Sequence, residues 1–177
     1  VAIILFLIPM CSFYGACVFL TRKLSVSAFD SPFIVTSLLL ICIYLASFSS
    51  ILTYMILGLL ITGIYLFFVE LVNCFFFKKQ NTHSENSLLP IWLHVFLVCF
   101  VGVIIFYNNI NLHYWDDFTH WGLIPKLTYI FGRLPIETQY NIYPDYLPGA
   151  GLFSNFFVFP HKMLGLVYNE KFSLISQ

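Results

Sequence analysis

Apolar positions along this chain run on almost without interruption over four stretches, residues 1–20, 33–48, 51–76 and 90–107. A hydrocarbon layer about 30 Å thick takes on the order of 20 apolar residues wound as a helix. Lipid cannot satisfy backbone N–H and C=O groups, and the period-two alternation of a barrel strand is absent, so the four stretches predict transmembrane helices. Pro32 and Pro90 fall at helix starts, where a missing N–H does no harm. "SFSS" at residues 47–50 reads as a tight turn joining the second and third helices, and "KKQNTHSENS" as a polar linker. Residues 1–108 therefore form one four-helix unit.

Beyond residue 108 the pattern changes. Residues 117–131 carry apolar groups at helical spacing, with Gly132 as the stop and Pro125 as a kink or restart. Tyr114, Trp115, Trp121, Tyr129, Tyr140 and Tyr143 lie in and around this segment, and such rings favour the headgroup layer. A helix lying along the bilayer follows. "NIYPDYLPGAG" is turn-rich. The apolar run 152–159 is too short to span and stops at Pro160, which predicts a re-entrant or surface helix within 151–177 and then the start of another. The fold class is all-α: a polytopic transmembrane helix bundle with an extracytoplasmic loop, 109–150, built around an interfacial helix. The chain begins inside an apolar run and ends as a helical pattern opens, as a piece of a longer protein would.

Composition agrees with this pattern. Hydrophobic residues make up 60% and charged residues 9%, and mean hydropathy is +0.89, against about 25% charged residues in soluble domains. The lipid bilayer is thus the first partner. Net charge is +0 with no basic block, which excludes nucleic acid. Arg22 and Lys23 follow the first helix, and Lys78 and Lys79 the third, which puts both pairs on the cytoplasmic side and residues 109–150 outside. The first helix lacks the basic start and cleavage site of a signal peptide, so it reads as an anchor. The cysteines all lie in apolar stretches without CxxC spacing and behave as small hydrophobes.

Candidate chemistry concentrates in "HYWDDFTHWGLIPK", residues 113–126. At about 100° per residue, His113, Asp116, Asp117 and His120 share one helix face. That face can hold a divalent metal ion or pair a carboxylate base with an acceptor hydroxyl. The plainer alternative is that an aspartate caps the helix, although one cap needs only one aspartate. Asp145 in "YPDYLPG" is a second outer carboxylate, or an ordinary turn residue. Lys126, Arg133 and Lys162 can engage phosphate, on a substrate or on lipid headgroups alike. His94 reads as a helix–helix hydrogen-bond partner, and Glu70 as a side chain snorkelling to the cytoplasmic surface.

"YWDDFTHWGLIPK" followed by "YPDYLPGAGLFSNFF" resembles bacterial membrane proteins of the GT-C glycosyltransferase class. That resemblance implies a polytopic helical enzyme of the bacterial cytoplasmic (inner) membrane, acting in cell-envelope glycan synthesis. It would take a sugar from a polyprenyl-phosphate-linked donor and pass it to an acceptor on the extracytoplasmic side. Asp116 and Asp117 match the family's acidic pair, with Asp116 as base and Asp117 assisting. Tyr146, Pro148 and Gly149 match its proline turn, with Asp145 beside them. Leu147 stands where the family motif has a further proline, and four helices precede the acidic loop where the best-known members have one. His113 and His120 are the metal ligands if a metal serves. The alternatives are a polysaccharide or lipid transporter subunit, or a non-catalytic membrane protein. A transport path would place ionisable groups inside several spans, and here only His94 and Glu70 lie there.

Overall fold

Long apolar segments without internal charge wind into helices because each backbone group then finds its partner within the segment. The computed structural model describes residues 2–49, 51–76, 89–108, 123–134 and 149–176. They form seven helices and no strand among the described residues: α1 (Ala2–Lys23), α2 (Ser31–Ser47), α3 (Leu52–Phe76), α4 (Leu89–Tyr107), α5 (Leu123–Phe131), α6 (Gly149–Met163) and α7 (Glu170–Ser176). Pro32 and Pro90 are each the second residue of their helix. Gly132, at φ +71, ends α5 in the left-handed backbone conformation that a side chain would disfavour. Where four spanning helices are expected, two segments among the described residues are long and apolar enough to cross a bilayer, Leu5–Lys23 and Leu52–Asn73. The apolar segments Ser31–Ser47 and Pro90–Ile105 are shorter.

The centre of the bundle is the parallel pair α1 and α3, the most extensive helix contact. Ser12 Oγ donates to the Leu59 carbonyl at 3.3 Å. One turn on, a Cβ on Gly15 would lie 2.5 Å from the Gly63 carbonyl oxygen and 2.6 Å from the Phe67 nitrogen. Small residues here let two backbones touch. At the end of the pair, Arg22 Nη1 meets Glu70 Oε2 at 3.2 Å, with Glu70 only 5% exposed. Glu70 does not snorkel, because a neighbouring helix supplies its cation. His94 makes an edge-on ring contact with Tyr14, centroids 5.7 Å apart, and its Nδ1 has no hydrogen-bond partner among the described residues.

α6 is a core element and no surface helix. Every residue from 151 to 161 except Phe153 is buried. Phe157 packs on Phe6 and Phe153 on Phe13, so α6 runs antiparallel to α1. It also continues past Pro160 to Met163, one turn beyond the stop expected from the sequence. α5 lies lengthwise beside α6, burying Ile124, Pro125, Thr128 and Tyr129. Its apolar stripe, read from the sequence as facing lipid, is covered instead by another helix. α7 closes the end near Phe6, where Phe172 stacks on that ring at 5.3 Å. The outward faces of α3 and α4 remain apolar, with Tyr65, Phe68, Trp92 and Phe96 all exposed.

Candidate functional site

The acidic motif leads into α5 and the proline turn into α6, and the two helices start side by side. A Cβ on Gly151 would lie 3.1 Å from Pro125 Cδ and 3.3 Å from Ile124 Cγ2. The first turns of α5 and α6 are thus in van der Waals contact, with Gly151 supplying the room. Asp116, Asp117, His113, His120, Asp145, Tyr146 and Pro148 lie outside the described residues. Gly149 opens α6. Among the described residues, no group of three His, Cys, Asp or Glu could hold a metal ion.

Of the basic candidates, Lys126 and Arg133 are exposed. Lys162 is the cation that enters the fold. The C-terminal halves of α5 and α6 and the first turn of α3 enclose a small cavity. Thr53, Thr128, Tyr129, Gly132, Asn155 and Lys162 line it, backed by Leu52, Ile56 and Phe159. It leaves about 10 Å³ for the centre of a water-sized sphere, roughly the room one water needs. Lys162 Nζ reaches across the Tyr129 ring, 5.7 Å from its centroid, and lies 3.3 Å from where a Cβ on Gly132 would be. Burial lowers the Lys162 pKa, because desolvation disfavours the ammonium. The neighbouring His161 is also pushed down by burial; its ring lies 4.5 Å from Phe172.

Two polar groups in this cavity have no obvious sequence signature. Thr128 is 1% exposed, and its Oγ1 has no hydrogen-bond partner among the described residues. Asn155 is buried and donates its amide to the Gly151 carbonyl at 3.1 Å. The only trace in the sequence is a polar residue on an apolar stripe, a pattern that ordinary core helices also show. Tyr129, by contrast, is already engaged, donating its hydroxyl to the Leu166 carbonyl at 2.6 Å. No protein-family model matches this sequence, and no curated protein or solved structure is similar to it.

Proposed function

We propose that the chain is part of an integral-membrane glycosyltransferase of the GT-C type, using a polyprenyl-phosphate-linked sugar donor. The observation that carries this reading is the contact between the first turns of α5 and α6. It brings together the starts of the two helices that follow the acidic pair and the proline turn. The membrane setting is supported by α3 and α4, each of which leaves aromatic and aliphatic side chains exposed, as lipid contact would favour.

The chemistry assigned to these residues is a single displacement. The Asp116 carboxylate takes the proton of an acceptor hydroxyl, and the acceptor oxygen bonds to the anomeric carbon. The bond from that carbon to the phosphate oxygen breaks, and the polyprenyl phosphate leaves with the electron pair. Asp117 orients the acceptor, and a divalent ion held with His113 and His120 would serve by balancing phosphate charge.

The test uses the full-length protein in proteoliposomes with a radiolabelled polyprenyl-phosphate hexose. Asp116→Asn is expected to slow loss of label from the donor by about 100-fold or more, in the range of general-base catalysis, with expression and melting temperature unchanged. Transfer at the wild-type rate in a folded Asp116→Asn protein would end the assignment.

A further inference from the structure

α5 stands upright in the bundle and opens well inside it. Ser12 pairs with Leu59 and Arg22 with Glu70, so α1 and α3 run in register. The start of α3 marks one end of that pair and Arg22 the other. α5 finishes at the first of these ends. A Cβ on Gly132 would lie 3.6 Å from Thr53 Oγ1, and the Leu134 N–H donates to the Ser47 carbonyl at 2.9 Å. α6 finishes there too, with Lys162 Nζ 3.3 Å from the same point. At their starts the two helices touch through Gly151 and Pro125, and Phe153 of α6 meets Phe13, midway along α1. Both helices therefore run antiparallel to α1, from inside the bundle out to the rim where α3 begins.

Lys126 is the fourth residue of α5 and is exposed. It lies some six residues back from Gly132, about 10 Å below that rim at 1.5 Å per residue. With α1 and α3 crossing the bilayer, this is the depth of the acyl chains. An ammonium facing acyl chains is disfavoured, and cations at such depths ordinarily face the bundle interior or a water-filled space. The exposure of Lys126 excludes the interior. Snorkelling to the rim runs against its Cα–Cβ bond, which tilts toward the start of α5 and so deeper into the bundle. Ile130 and Arg133, one and two turns on, are exposed on the same face.

We propose that the face of α5 formed by Lys126, Ile130 and Arg133 borders a water-filled recess, open at the rim where α3 begins and reaching Lys126. Water and small polar solutes then approach the start of α5 without crossing hydrocarbon. The inference rests on the membrane reading of α1 and α3 and is independent of sugar transfer, since it uses neither aspartate motif.

The experiment uses the full chain in liposomes, with the native cysteines replaced by alanine and spin labels on single introduced cysteines. Lys126→Cys and Ile130→Cys probe the recess. Ile61→Cys, on the exposed face of α3 at similar depth, reports lipid, and Leu164→Cys reports the rim. Collision with a water-soluble nickel chelate is expected to be several-fold higher at positions 126 and 130 than at 61, and close to that at 164. Depth is read separately, as the distance from a second label at Lys23→Cys. Position 126 should lie nearer to it than position 164 by about 10 Å, the rise of some seven helical residues. Positions 126 and 130 colliding with oxygen and not nickel, as position 61 does, would overturn the proposal. So would equal distances from position 23, which would lay α5 flat on the surface. High nickel access at position 61 would instead remove the membrane reading, and this inference with it.

Discussion

Replacing Gly63 with leucine is expected to abolish the folded bundle, as seen by loss of a monodisperse peak on size-exclusion chromatography and of cooperative melting. A Cβ at Gly63 would lie 2.5 Å from the Ser12 carbonyl oxygen and 2.8 Å from its carbonyl carbon. These are backbone atoms of α1, which cannot rotate aside as a side-chain tip would. α1 and α3 must then separate along their whole contact, also opening the Ser12 hydrogen bond and displacing Phe67. Overpacking a core commonly costs about 1–3 kcal/mol, and a backbone clash at the main helix crossing belongs at or beyond the upper end. Gly58→Leu is the internal control. It lies in the same helix, yet a Cβ there meets nothing within 4 Å, so its melting temperature should stay within a degree or two of wild type. Equal behaviour of the two variants would mean that helix propensity, and not the crossing, decides.

The second large effect concerns Arg22 and Glu70. Arg22→Met leaves the nearly buried Glu70 carboxylate without its cation, and its Oε1 already lacks a hydrogen-bond partner among the described residues. Removing one partner of a buried pair typically destabilises by about 3–5 kcal/mol, because the remaining charge is stranded. The Arg22 side chain is 36% exposed, so solvent reaches part of this pair and a loss of about 2–3 kcal/mol is expected. The double variant Arg22→Met with Glu70→Met should recover most of that loss, since two apolar side chains need no partner there. Chemical denaturation in detergent micelles gives all terms of the cycle. If Arg22→Met is neutral, or if the losses simply add, the two groups are not coupled.

The starts and stops of helices are legible in the sequence because they rest on local chemistry. Pro32 and Pro90 mark where α2 and α4 begin, and Gly132 marks where α5 ends. The pairing of faces is not legible in the same way, since it depends on residues far apart in the chain. Nothing near Glu70 announces Arg22, which lies 48 positions upstream. The apolar stripe of α5 reads equally well as facing lipid or another helix, and only the fit of Gly151 against Ile124 and Pro125 decides for α6. Likewise a run such as "LFSNFFVFP" has too few charges to reveal that it is a buried core helix. In the cavity, Lys162 stands out in the sequence by its charge. Thr128 and Asn155 become informative only once their burial and neighbours are known.

The central claim is that the acidic pair and the proline turn build one site. Spin labels at Asp117→Cys and Asp145→Cys test it most directly, with the native cysteines replaced by alanine and the distance read by double electron–electron resonance. Chain reach from the touching starts of α5 and α6 would allow a separation of up to about 40 Å, so a short distance is not imposed by the helices alone. A single site on the scale of a sugar phosphate is expected to give a narrow distribution below roughly 20 Å, allowing for the label arms on a few residues of chain. A distribution centred beyond about 30 Å, the length of some nine extended residues, would contradict it.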